Sequence, residues 1–339
     1  MTPRRAWLAA TLLAVILLGS AVALATLLEP HTRDFDRTVG LSLWKIDFHQ
    51  QIDPEVMSYA VNLAASQGIQ GLVNLAGGRV GGGLERQIEA AARFPGRVLV
   101  FLELDERGCC DEAWVNREVA QVVAGQAAGA RGVYLPRPLV TPDGTGVPLD
   151  APLLDPLWQA IERLALPVAF DPGTGAGPRQ RLERLLERQP RVRFVALGMA
   201  GMAAIPVELG ALLARSPNLY VDTAGALPAL SRDRTAARDL LVAHADRVLL
   251  GTDLSWLQGP RPDLRALVIG GGTPVKAREP LARYFDSTWR FLDSGDPDIP
   301  GPVGGDPVMQ GLALPREALD RIYRGNARAL LGFGDLGAR

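Results

Sequence analysis

Histidine is scarce among the residues that could do chemistry in this 339-residue chain, occurring only as His31, His49 and His244. Cysteine occurs twice, side by side at Cys109 and Cys110, so no disulfide framework builds the fold. That pair could close on itself in an oxidising compartment or remain as two thiols. Several polar residues end apolar runs: Asn74, Glu103, Asp105, Asp222 and Thr223. Glu103 and Asp105 alternate with apolar neighbours and could serve as an acid/base pair; they could equally cap the next helix or pair with an arginine. The glycine-rich stretch 77–83 follows one apolar run and precedes a helical one, as phosphate-cradling loops do. It lacks the Gly-Lys-Ser/Thr ending of such loops, which points to a plain connecting loop instead. Trp256 and Leu257 could line a pocket or pack beneath a long loop.

The elements that must position these residues alternate regularly. Short apolar runs rich in Val, Leu and Phe lie at 43–48, 71–75, 98–104, 132–135, 167–170, 193–197, 219–222 and 247–250. Such runs suit parallel strands covered on both faces. Between them lie segments with apolar spacings of three and four, at 54–66, 84–93, 112–127, 153–164, 179–188 and 207–215; Leu182, Leu185 and Leu186 form one such stripe. Eight strand–helix repeats in roughly 250 residues match a (β/α)8 barrel better than an open sheet, although periodicity alone leaves both available. In a barrel, the turn-rich loops at 76–83, 171–178 and 255–279 all emerge at the face where active sites are built. A last helix is expected over 315–331.

Composition bounds the partners. The chain is 47% hydrophobic and 22% charged, with 36 basic against 37 acidic residues, so it carries no electrostatic footprint for nucleic acid. Between Arg5 and Glu29 run 23 uncharged residues, 6–28, long enough to span a bilayer. With Arg4 and Arg5 ahead of it, this segment predicts one transmembrane helix, leaving the rest on the outer, periplasmic side of the inner membrane. The alternative is a signal cleaved near Ala23–Ala25 and a secreted product. The expected organisation is an N-terminal membrane segment at 1–35 and one (β/α)8 barrel at 40–335. Oligomeric state is left open.

The strand ends carry a family likeness. WKIDFHQQ at 44–51 resembles the opening strand of the amidohydrolase superfamily, in its amidohydrolase-2 or decarboxylase-like branch. LLDPLWQAIERLALPVAFDPG at 153–173, RFVALGMAG at 193–201, SPNLYVDTAG at 216–225 and DRVLLGTD at 246–253 resemble its later strands in the right order. YFDSTWRFLD at 284–293 and ALPREALDRIYRGNARALLG at 313–332 resemble its closing helices. The resemblance implies a TIM barrel and a metal-dependent hydrolase or decarboxylase-like lyase of a small molecule. It also implies a divalent ion held by two histidines one residue apart on strand one, histidines after strands five and six, and an aspartate after strand eight. Side chains at i and i+2 of a strand share a side, so such a pair can hold one ion and leave a site for water.

Against that pattern the chain keeps His49 and Asp253 but has Gln51, Asp171 and Gly198 at the other three positions. Two readings follow. His49, Asp171 and Asp253 could form a one-histidine, two-carboxylate set suited to Mn²⁺, Mg²⁺ or Fe²⁺ rather than tightly bound zinc, with Asp253 as the base. Alternatively no metal is held, His49 and Asp253 bond each other across the mouth, Asp171 is a turn residue, and the barrel binds a ligand or partner without catalysis. Gln51, Asn74, Glu103, Asp222 and Trp256 are expected to line the substrate pocket under either reading.

Overall fold

A computed structural model describes residues 43–258, 265–269, 274–275 and 278–333, all within the unit Gly40–Arg339. The strands are β1 (Lys45–Ile52), β2 (Ile69–Asn74), β3 (Val98–Val100), β4 (Leu102–Glu103), β5 (Val133–Leu135), β6 (Leu139–Val140), β7 (Gly146–Val147), β8 (Val168–Phe170), β9 (Phe194–Ala196), β10 (Leu219–Asp222), β11 (Val248–Leu249), β12 (Leu254–Gln258), β13 (Arg265–Ile269) and β14 (Pro274–Val275). The longer helices are α1 (Met57–Ser66), α2 (Leu84–Ala92), α3 (Glu112–Ala128), α4 (Asp155–Arg163), α5 (Ala176–Arg188), α6 (Pro206–Arg215), α7 (Arg234–Ala243) and α8 (Arg278–Asp293). The closing segment runs as helix over Arg316–Asp320, a wider turn over Arg321–Gly325 and helix again over Asn326–Leu331.

Strand pairing makes a TIM-barrel-like ring. Two parallel runs, β12-β1-β2-β3 and β11-β10-β9-β8-β5-β4, supply its wall. They join at Phe101, whose neighbours β3 and β4 belong to different runs; Phe101 N donates to Asn74 O and Leu102 N to Gly132 O, both at 2.9 Å. They join again where Phe48 N donates to Leu250 O at 2.8 Å. Every apolar run read as a strand is one, because each must bury both faces between the ring interior and a helix. The interior is filled by Ile46, Phe48, Val73, Leu75, Phe101, Tyr134, Ala169, Val195 and Leu249, and closed from one end by Leu330, Leu331 and Phe333. Phe101 meets Phe48 edge-on with centroids 5.6 Å apart. Gly132 is obligatory beside it, since a Cβ there would lie 2.3 Å from the Phe101 ring. The Leu182, Leu185 and Leu186 stripe of α5 is buried, as its spacing requires.

Two expectations need correction. The segment 255–279, read as a loop, holds strands instead: β12 pairs with β1 and turns back through antiparallel β13 and β14. The alternation in LSWLQ and RALVI is that of strands, but turn residues around it masked the signal. The expected transmembrane helix at 6–28 lies outside the described residues. Among the described residues no helix is long and apolar enough to cross a membrane, and the assignment of a single-pass inner-membrane protein with a periplasmic barrel is withdrawn on that finding.

Candidate active site

The site begins with an irregularity in β1. Between Asp47 and Gln50 the pairing with β2 slips, three residues on β1 matching two on β2. Such a bulge re-aims side chains, and here Asp47, His49 and Gln50 are all buried. Asp47 fastens this turn of chain: its Oδ1 accepts from His49 N at 3.0 Å and Thr252 N at 3.1 Å. Its Oδ2 accepts from Thr252 Oγ1 and Gln50 Nε2. Burial raises the Asp47 carboxyl to about 6, against the pull of those four donors.

His49 then stands between two carboxylates. Nδ1 is 2.8 Å from Asp222 Oδ2, at the end of β10, and Nε2 is 3.3 Å from Asp253 Oδ1, after β11. Burial by itself would lower the imidazole pKa. Asp222, with Asp253 and Asp47 adding, outweighs it and raises His49 to about 9, so the ring is an imidazolium at neutral pH. Asp222 is fully buried and its second oxygen accepts from Gly198 N at 2.6 Å. Asp253 is anchored by its own backbone, its N–H donating to His49 O at 3.0 Å, and its side chain remains one-quarter exposed. Its φ of +53° is left-handed, a conformation that Asp tolerates better than most residues and that clusters at functional sites. Burial raises the Asp253 pKa; His49 opposes this, and Asp222 and Asp171 reinforce it.

Gly251 makes the close approach possible. A Cβ at that position would lie 2.7 Å from Asp222 Oδ2 and 3.0 Å from His49 Cβ. Gly251→Ala is therefore expected to push the pair apart and cost about 1–3 kcal/mol by overpacking. Urea unfolding measures the loss, and the His49 ring resonances should shift with it. An unchanged midpoint and spectrum would mean the backbone yields there.

The other residues expected at the site divide. Gln51 is half-buried and pairs in register with Ser255. Asn74 is spent on structure: its Oδ1 accepts from Ile52 N and Ala76 N, and its Nδ2 donates to Ile52 O and Gln87 Oε1. Trp256 is buried, donates to Gln50 Oε1 and meets Tyr59 edge-on. Both were expected to line the pocket, and both instead clamp strand to strand. Asp222, also expected there, sits behind His49 rather than open to ligand. Glu103 is half-buried and its pKa is raised by burial, eased by a Gly78 backbone hydrogen bond. Loop 77–83 is no anion cradle: Val80 N donates to Gln121 Oε1, Gly81 N to Glu85 Oε1 and Gly82 N to Arg79 O. Arg79 pins it through a two-pronged bond to fully buried Glu118, at 2.8 and 2.6 Å. Cys109 and Cys110 form a vicinal disulfide.

Composition and motif both missed Tyr134. A tyrosine in a three-residue apolar strand reads as core, and its ring is core. Yet its phenol lies within electrostatic reach of Asp253, Glu103, Asp171 and Asp222, four residues from the ends of different strands. Only the ring closure brings those ends together. Burial first, then these carboxylates, hold the phenol well above its usual pKa. Beside the mouth, between the β6–β7 hairpin and α5, lies a cavity of about 110 Å³ walled by Leu135, Leu139, Phe170, Leu182 and Leu185, with Asp171, Arg137 and Arg181 also lining it.

The residues present do not fit a divalent ion. Among the described residues no three His, Cys, Asp or Glu side chains converge as a ligand set. Asp171, the supposed third ligand, is exposed and its Oδ1 accepts from Gly173 N at 2.8 Å, closing a turn. Gly198, where the family has a histidine, has φ +59° and gives its N–H to Asp222 instead. The full chain is accordingly expected to purify with well under one zinc per chain by elemental analysis. Added zinc is expected to raise its Tm little, since stabilisation follows the ratio of ligand concentration to Kd. A full equivalent would show that the mouth rearranges around an ion.

Comparison with known proteins agrees with the fold. The family model described as Amidohydrolase matches residues 57–333. No curated protein matches the chain. Among solved structures, an uncharacterised TIM-barrel protein from Bordetella bronchiseptica superposes with a TM-score of 0.56 at 17% identity, covering 86% of this chain and 99% of that one. A 2,6-dihydroxybenzoate decarboxylase from Rhizobium gives 0.53 at 16%, again over 86% and 99%. A 5-carboxyvanillate decarboxylase from Sphingomonas paucimobilis gives 0.52 at 14%, over 86% and 100%. At such identities the likeness is one of fold.

Proposed function

This chain belongs to the amidohydrolase family, and from that premise we propose that it is a hydrolase of a small molecule that works by acid–base chemistry on Asp253, His49 and Asp222. The observation that carries this reading is the grip on His49: 2.8 Å to one buried carboxylate and 3.3 Å to another that is still open to the mouth. The family's metal-dependent chemistry is not invoked, because the donor set does not fit an ion.

The roles follow from the geometry. Gly198 N–H and His49 hold Asp222; Asp222 fixes the ring and keeps it charged; the imidazolium holds Asp253 ionised and oriented. Asp253, alone of the three, is exposed enough to meet water. As water attacks an acyl carbon, its proton passes to Asp253 and the carbonyl electron pair moves onto oxygen. Collapse returns that pair, breaks the bond to the leaving group and delivers the proton from Asp253 to it. The second water proton leaves with the acid product. Burial raises the Asp253 pKa above the ordinary aspartate value, the direction that makes its carboxylate a stronger base. Turnover of a neutral aryl ester, phenyl butanoate, by the full chain and by Asp253→Asn tests the reading. Equal rates in both would sink it.

A further inference from the structure

The cavity beside the mouth lies outside the ring wall. Side chains alternate along a strand, so Leu135 and Phe170, which follow the interior residues Tyr134 and Ala169, point outward toward α5. With Leu182 and Leu185 of α5, and Leu139 and Val147 of the β6–β7 hairpin, they enclose about 110 Å³. Natural interiors are close-packed, and an apolar void larger than a water is costly to keep. This one is held open by Pro138, Pro148, Pro172 and Pro178, whose fixed φ stiffens the segments that frame it. Having no N–H, these prolines offer water no backbone donor, so the walls suit a hydrocarbon.

The charges around this cavity are uneven. Arg137 and Arg181 line it against a single carboxylate, Asp171, whose Oδ1 is tied to Gly173 N at 2.8 Å. Arg137 reaches Glu106 only at 3.6 Å, with its side chain 73% exposed, and Arg181 has no ion pair among the described residues. Both guanidiniums therefore keep donors for an anion. We propose that the cavity is a binding site for a short-chain aliphatic monocarboxylate, its tail held between ring wall, hairpin and α5 and its carboxylate met by Arg137 and Arg181. Apolar cavities of about 150 Å³ take up benzene, so about 110 Å³ holds a tail of about four carbons. A second charge on that tail would be driven against leucine and phenylalanine without a partner. An amine head would meet two cations. The walls belong to the outer side of the strands, so the site is separate from the His49 mouth and stands without the hydrolytic reading.

Pentanoate, 1-pentanol and pentylammonium share one tail and differ in the charge at its head. In calorimetric titration of the full chain, pentanoate is expected to bind at least ~10-fold more tightly than pentylammonium, with 1-pentanol between them. Pentanoate is also expected to shift the Phe170 ring proton resonances, which places it in this cavity. Replacing both arginines together, Arg137→Gln with Arg181→Gln, is expected to weaken pentanoate about 10-fold, the loss of one charged hydrogen bond, and to leave 1-pentanol within about twofold. Both side chains are exposed, so Tm should hold. Val147→Phe, at the half-buried edge of the hairpin, fills the cavity and is expected to abolish binding of both ligands. Pentylammonium binding as tightly as pentanoate, or pentanoate indifferent to the double variant or to Val147→Phe, would overturn the proposal. Dodecanoate binding more tightly than pentanoate would make the cavity the end of a lipid-tail groove and overturn the short-chain class. Neither heat nor a Phe170 shift at about 10 mM pentanoate, a concentration that fills a site of millimolar Kd, would dismiss the site. Each result is read without turnover, so failure of the hydrolase reading leaves this one standing, and the reverse holds too.

Discussion

Asp222→Asn is expected to be the most destabilising single change at the mouth, costing about 3–5 kcal/mol, because it leaves an imidazolium buried beside a neutral amide. The carboxylate is fully buried, touches His49 at 2.8 Å and takes the Gly198 N–H on its other oxygen. Its effect has a pH signature. His49 titrates near 6.5 when unfolded and at about 9 when folded. The folded state therefore binds the extra proton, so the contribution is complete below about 6.5 and is lost as pH rises through about 9. A shift of that size corresponds to roughly 3 kcal/mol. Urea unfolding of the parent at pH 6, 7.5 and 9.5 is expected to show stability falling over that window. In Asp222→Asn the slope is expected to be nearly gone, and proton resonances of the His49 ring should show it neutral at pH 8. A parent whose stability is flat from pH 6 to 9.5 would show that His49 is not held as a cation.

How much of this was open to reading in the sequence depends on where the determining contacts lie. The wall of the barrel was legible because each strand announces itself locally, as VAF and FVA do with a helix-spaced segment on either side. His49 and Asp253 were legible because the resemblance ties them to strand ends. The part played by Asp222 was not. A carboxylate ending an apolar run has the same local appearance whether it faces ligand or an imidazole from a strand 173 positions away. Asn74 and Trp256 failed for a related reason: their polar atoms are taken up by neighbours on β1, a register fact that depends on the slip between Asp47 and Gln50. The metal set His49, Asp171 and Asp253 was a sum over motif positions. Asp171 turned out to close a turn with Gly173, as the Asp-Pro-Gly sequence also allowed.

Asp253→Asn separates catalysis from stability at the same mouth. Asn is the informative replacement because it too tolerates φ near +53°, whereas Ala would add backbone strain of about 1–2 kcal/mol to the reading. The side chain is one-quarter exposed and 3.3 Å from His49, so the pair is partly screened, and its loss is expected to cost about 1 kcal/mol or less. The imidazolium keeps its buried partner Asp222 throughout. Activity is expected to respond very differently. With the base gone, kcat for phenyl butanoate is expected to fall by about 10²–10⁴. The parent is expected to show a bell-shaped kcat/KM profile. Its acid limb follows ionisation of Asp253, displaced upward from the ordinary aspartate value, and its alkaline limb follows loss of the His49 proton near 9. Residual Asp253→Asn activity should lose the acid limb and keep the alkaline one, since only the first belongs to the residue removed. An acid limb that survives unchanged in Asp253→Asn would place the base elsewhere, with Glu103 the next carboxylate at the mouth to replace.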